Sequence, residues 1–199
     1  PMESLFPAIR AFNELAVPVE IRLLDEVFTG PWDALHTGRA DLVVGASRDV
    51  QAPGHYDQVI IGEVPFVYAV AWDHPLAREP QPVPEDRITE WPAVVAADSS
   101  RQLPAGSAGI FSRQRTLTVS SMPNKIAAQK AGLGVGWLPF HQIEQELARG
   151  DLVRVQLAVR RQPVALCMAR RQGDEGKALN WFWEHLSQPG YFSPWLDSP

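Results

Sequence analysis

The sequence predicts an α/β protein of two Rossmann-like lobes joined by a two-strand hinge, on three observations. Helix-like and strand-like patterns alternate through the first half, the signature of βαβ units and a mostly parallel sheet. The chain has 199 residues, long for one compact core and enough for two small ones. Two strand-like stretches, near Val70–His74 and near Val159–Met168, read as crossings between lobes. A chain that leaves one lobe, builds a second and returns makes a discontinuous first lobe and a cleft. The expected boundaries are 1–72 with 168–199 for lobe I and 73–167 for lobe II.

The elements follow in order. Leu5, Ile9, Phe12 and Leu15 repeat at helical spacing, and Val17-Pro18 ends that helix. Val19, Ile21 and Leu23 alternate as a strand. Pro31 to Thr37 makes a short helix, with Thr29 or Gly30 at its start and Gly38 past its end. Ala40 to Gly45 reads as a buried strand. Gln58 to Trp72 is long, apolar and β-branched with a break at Gly62–Pro65, hence two strands or one that crosses between lobes. A Pro-rich loop runs to Pro84, Trp91 to Ala96 restarts a strand, and Asp98 to Gly109 is a loop. Thr116–Val119 is the next strand. Pro123 to Ala131 is a helix stopped by Gly132-Leu133-Gly134, and a buried strand follows (Val135, Trp137, Leu138), closed by Pro139. Another helix ends at Arg149-Gly150. The last strands are Leu152–Leu157 and Val164–Met168, around the basic turn Arg160-Arg161-Gln162. Gly176 to Leu186 is a final helix, and the Trp-rich end reads as packing.

Charge is uneven. The net charge is −5, divided as −7 over residues 1–73, +3 over 74–168 and −1 over 169–199. That balance argues against this chain gripping a phosphate backbone by itself. Unlike charges in two regions suit association of one region with the other across subunits. Cys167 is the single cysteine and reads as a small apolar strand residue. No apolar run is long enough to span a membrane, and PMESLFPAIRAF lacks the form of a signal peptide, so the expectation is a cytoplasmic protein.

Four segments, in order along nearly the whole chain, resemble the effector-binding domain of LysR-type transcriptional regulators. They are Trp32-Asp33-Ala34-Leu35 with Gly38 to Gly45, His74-Pro75-Leu76-Ala77, Ala131 to Pro139, and Gly150-Asp151-Leu152-Val153. Gly176-Lys177-Ala178-Leu179 with Trp181-Phe182 is similar to the terminal helix of one subgroup. The resemblance implies a type II periplasmic-binding-protein-like fold. It implies a bacterial, ligand-sensing domain that forms a homodimer or tetramer. It implies that the domain binds a small polar metabolite between its lobes and touches DNA only through an N-terminal winged helix-turn-helix. That domain and the first strand of lobe I are not in this sequence.

In such lobes, ligands sit at the carboxyl ends of strands near helix N-termini, where N–H groups favour anions. Four places qualify. Ser4 precedes the first helix and can instead simply cap it. Phe28, Thr29 and Trp32 lie between a strand and the next helix, with Trp32 as readily in the core. Ser99, Ser100 and Arg101 follow a lobe II strand. Arg101 can pair with a carboxylate or sit exposed on a loop; with Glu26 it would suit a zwitterion. Ser120, Ser121 and Met122 open the AAQKAG helix, where Lys125 is expected to point to solvent; Gly136 and Trp137 close the floor. A carboxylate or heterocyclic metabolite is the expected effector.

Catalysis is not expected. There is no Gly-x-Ser-x-Gly elbow, no HExxH or CxxC metal motif, and the histidines are scattered. Gly132 to Gly136 follows a helix, the wrong context for a dinucleotide loop. No cofactor is expected. The competing reading is a transporter's solute-binding protein, which shares the bilobal architecture.

Overall fold

The computed structural model describes residues 2–106 and 109–196, so residues 107 and 108 of the expected 98–109 loop lie outside it. In chain order the elements are α1 (Phe6–Asn13), α2 (Gly30–His36), β1 (Leu42–Ser47), β2 (Tyr56–Val64), β3 (Phe66–Ala71), α3 (Glu85–Thr89), β4 (Ala93–Ala96), β5 (Thr116–Val119), α4 (Met122–Lys130), β6 (Gly136–Pro139), α5 (Glu144–Arg149), β7 (Leu152–Arg154), β8 (Val164–Arg171), α6 (Lys177–Leu186) and α7 (Ser193–Leu196). They form two compact units. One holds Pro1–Glu63, Ser99–Ala105 and Ala165–Pro199; the other holds Val64–Asp98 and Gly106–Val164. The chain therefore changes unit inside β2 and β8, where the sequence suggested 72/73 and 167/168. Segment 99–105, expected in lobe II, belongs to the first unit.

The first unit carries a sheet in the order β1-β8-β2. β1 runs antiparallel to β8, with Val43 opposite Ala169 and a bulge between Val44 and Ala46. α2 packs Trp32 and Leu35 onto Val43, Ala46, Cys167 and Ala169, and Leu103 covers the edge of that cluster. α1 contributes Phe12, whose ring meets Trp181 and Phe182 of α6 at 5.1 and 4.8 Å. Arg171 ties the end of α2 to the start of β1, donating to the carbonyls of Leu35 (2.8 Å) and Ala40 (2.7 Å) and pairing with Asp41.

The expected strand at Val19–Leu23 is not formed; residues 17–27 have no regular structure. Val17, Val19, Leu23 and Leu24 are exposed large apolar residues. Alternation alone does not make a strand. A strand needs a neighbour to take its N–H and C=O groups, and among the described residues none pairs with this segment.

In the second unit, β6-β3-β7 form one sheet and β4-β5 another. β3 is antiparallel to both neighbours, whereas β4 and β5 are parallel. An isolated parallel bridge, Ala93 to Val135, brings the start of β6 beside β4. The expectation of mostly parallel sheets thus holds only around β4, β5 and β6. The strands β3 and β8, which lie near the unit boundaries, run antiparallel to their described partners. One core cluster includes Tyr68, Val70, Leu76, Ile88 and Val135; another joins Ala69, Leu138, Ile143 and Leu152, with Met122 and Ile126 of α4 against it. α3, between the expected Pro-rich loop and the strand from Trp91, was not legible: it is one short turn whose only buried residue is Ile88.

The family-like motifs have local causes. The His74 imidazole caps the 3-10 turn Pro75–Arg78 by accepting from the Leu76 N–H at 3.2 Å. Gly132 ends α4 with φ +70, while Gly132 N–H and Leu133 N–H donate to the carbonyls of Gln129 and Ala128, both at 3.0 Å. Gly134 is required for another reason: a Cβ there would overlap the Pro92 carbonyl of the neighbouring chain segment.

Candidate functional site

In the first unit, a charged network fixes the segment before α2. Asp33 is fully buried and accepts from the N–H groups of Gln102 (2.7 Å) and Leu103 (2.8 Å) and from Arg39 Nη2 (2.9 Å). Burial alone would raise its carboxyl, but the Leu103 and Gln102 N–H groups, Arg39 and the Arg101 N–H outweigh that. Together they hold it well below the usual carboxylate range. Arg39 also pairs with Glu26, and Ser99 donates from its hydroxyl to the other Glu26 oxygen. The Ser99 Oγ in turn accepts from the Val27 N–H at 2.8 Å. Gly30 completes the arrangement, because any Cβ there would overlap the Ser99 hydroxyl.

In the second unit, β5 runs directly into α4 through Ser120 and Ser121, at the carboxyl ends of the parallel pair β4 and β5. Ser121 caps α4 by accepting from the Asn124 N–H (3.3 Å), and Asn124 Nδ2 donates to Ser120 Oγ (3.0 Å). Two residues on the inner face of α4 were not expected there. Lys125 is only 5% exposed and Gln129 is fully buried. Gly136 on β6 makes room for Gln129, since a Cβ would stand 3.0 Å from Gln129 Nε2 and 3.3 Å from the Val94 carbonyl, and it also lies beside Lys125 Cε. Trp137 packs edge-on against Tyr68 at 5.4 Å, and the Arg161 guanidinium lies over the Phe66 ring at 4.3 Å.

The expected site residues fall into three groups. Ser120, Ser121, Gly136 and Trp137 gather around α4 and β6, while Met122 is anchored against the core. Ser99, Ser100 and Arg101 gather instead with Phe28 and Thr29 in the first unit. Arg101 keeps an exposed side chain. Glu26, already engaged by Arg39 and Ser99, is not available for the zwitterion pairing. Trp32 is a core residue, 1% exposed, with its indole donating to the Ser47 carbonyl at 2.8 Å. Ser4 is buried in the 3-10 turn Met2–Leu5, one residue before the N-cap position of α1, so it is not the cap. Sequence reasoning missed Asp33, Arg39, Lys125, Gln129 and Arg161. The pair Lys125 and Gln129, four apart on α4, was the one signal for a shared buried face.

A concavity of about 480 Å³ beside Phe6, Ile9, Arg10, Asn13 and Glu14 is lined by α1 and the residue that follows it and is an open surface groove. Among the described residues, no three His, Cys, Asp or Glu are grouped to hold a metal ion, and no helix is long and apolar enough to cross a membrane.

Comparison with known proteins agrees with this architecture. The model of the LysR substrate binding domain matches residues 3–189. The chain is 32% identical over 182 residues to the HTH-type transcriptional regulator PunR of Escherichia coli (strain K12), covering 91% of this chain and 59% of PunR. It is 30% identical over 183 residues to the probable HTH-type transcriptional regulator YhaJ of the same organism, covering 91% and 60%. The chain thus spans about three fifths of these relatives. Among solved structures, the regulatory domain of NMB2055 (MetR) from N. meningitidis aligns with a TM-score of 0.64 at 18% identity, covering 95% of this chain and 88% of that one. The Synechocystis PCC6803 CcmR regulatory domain, in complex with 2-PG, aligns at 0.65 with 15% identity, covering 93% and 90%. The fold is the type II periplasmic-binding-protein-like α/β fold, and the chain belongs to the LysR substrate-binding domain family.

Proposed function

We propose that this chain is the ligand-sensing and dimerisation part of a cytoplasmic LysR-type transcriptional regulator. It binds a small polar metabolite without transforming it and changes how a helix-turn-helix carried elsewhere in the longer protein engages DNA. The transporter alternative has no support in relatives that are themselves named as transcriptional regulators. The observation that carries the reading is the turn Ser120–Met122. It stands at the carboxyl ends of two parallel strands and opens a nine-residue helix, the place where open α/β sheets take ligands. The CcmR neighbour, solved with 2-PG, supports a small effector.

A ligand changes DNA affinity only through its difference in affinity for two states of the protein. Dimerisation offers such states. By sequence the first unit carries −6 and the second +1, so the acidic unit of one copy complements the weakly basic unit of another, and mutual pairing of unlike surfaces closes as a two-fold dimer. The test is a thermal-shift screen of polar metabolites on the purified chain, followed by calorimetry and by NMR of the recovered ligand. At least one metabolite should bind and be returned unchanged. A ligand consumed on incubation would contradict a pure sensor.

A further inference from the structure

Two cations of the second unit, one buried and one half-buried, have no counter-ion among the described residues. Lys125, expected in solvent, is 5% exposed, and Arg161 is half-buried. Buried ammonium groups are normally paired, because removing an unpaired charge from water is costly. Yet the ion pairs of the described residues use Arg22, Arg39, Arg87, Lys130, Arg170 and Arg171, and neither Lys125 nor Arg161. The charge that acts on Lys125, that of Arg161, is of its own sign. Burial first, and then the Arg161 charge, push the Lys125 ammonium down to about 8.

A second deficit adjoins the first. Gln129, one turn further along α4, is fully buried, and neither its amide oxygen nor its nitrogen has a partner among the described residues. Gly136 lets β6 approach Gln129 closely and lies beside Lys125. Next to it on β6, Trp137 lies 5.8 Å from the Arg161 guanidinium, which also covers Phe66. The end of α4 itself has little left to offer an anion. Pro123 has no N–H, and those of Asn124 and Lys125 are taken by the Ser121 hydroxyl and carbonyl. The unbalanced positive charge is therefore on side chains.

We propose that Lys125 and Arg161 bind a carboxylate of the effector, with Gln129 as a neutral partner and Trp137 and Phe66 beside its apolar body. Two side-chain cations without a cradle of backbone N–H groups suit a planar monoanion, which an Arg edge and an ammonium can grip together. This rests on the sensor reading above and specifies its ligand.

The probe is benzoate, with benzamide as its neutral counterpart, titrated calorimetrically into the purified chain at pH 7. Benzoate should bind at least about tenfold more tightly than benzamide, as charge-assisted hydrogen bonds require. Lys125→Met should lower benzoate affinity by about tenfold or more, leave benzamide unchanged, and raise the thermal midpoint by removing an unpaired buried charge. Arg161→Gln should also weaken benzoate. Equal affinity for the two probes, or benzoate binding untouched in Lys125→Met, overturns the proposal. So does a lowered midpoint in that variant, which would make Lys125 a structural support. A neutral metabolite that binds and alters DNA affinity equally in wild type and Lys125→Met would sink this proposal while leaving the sensor reading intact.

Discussion

Replacing Asp33 with alanine is the sharpest perturbation of the first unit. The carboxylate is fully buried and accepts from Gln102 N, Leu103 N and Arg39 Nη2 at 2.7, 2.8 and 2.9 Å. Each bond to a charged group contributes roughly 1.5–3 kcal/mol, and breaking a buried pair by deleting one partner costs about 3–5 kcal/mol. Arg39 keeps Glu26, so its guanidinium is not stranded, and a loss of about 4 kcal/mol is expected. For a chain of 199 residues, at about 2–4 °C per kcal/mol, the thermal midpoint should fall by roughly 8–16 °C. Circular dichroism melts measure this directly. Hydrogen exchange adds a local readout, since the amides of Gln102 and Leu103 should lose protection before the rest of the unit. A loss below about 1 kcal/mol, or unchanged exchange at those two amides, would refute the assignment of Asp33 as the anchor of segment 99–105.

Three further outcomes follow from the same geometry. A carboxyl held below its unfolded value stabilises the fold above about pH 4, and that stability is lost as pH falls through the folded value. Wild type should therefore destabilise more steeply than Asp33→Asn in acid, as urea titrations at stepped pH would show. Gly30→Ala should cost about 1–3 kcal/mol by overlap with Ser99, and Ser99→Gly should recover part of it in a double-mutant cycle. His74→Ala removes the cap on the Pro75–Arg78 turn and a ring contact with Trp91 at 4.4 Å, for a loss of about 1–2 kcal/mol by chemical denaturation.

The legible parts of the fold were those with local causes. α4 and its stop at Gly132, the strand beyond it, and the end of α5 at Gly150 each follow from cap, turn and periodicity within a few residues. Val19–Leu23 misled because its alternation is real but its ladder partner is a matter of tertiary structure. The site was less legible. Ser120 and Ser121 were singled out by their position after a strand. Lys125 was misplaced because a lysine in a first helical turn is ordinarily solvated, whereas here it is buried beside β6, a tertiary contact that local pattern does not show. Ser99 was expected in lobe II but groups with the first unit, because strand order along the chain does not reveal that Asp33, 66 positions earlier than Ser99, gathers the N–H groups just past it.

The sensor reading is tested most directly by thermodynamic reciprocity in the full-length protein. DNA affinity would be measured by fluorescence anisotropy, on a site obtained by selection, with and without the metabolite found on the isolated chain. Metabolite affinity would be measured by calorimetry with and without that DNA. A ligand-responsive regulator must give the same factor in both directions, and allosteric coupling typically lies at about 5–150-fold. Matching factors in that range are the predicted result; a factor of one in both, with the metabolite still bound, would contradict the account.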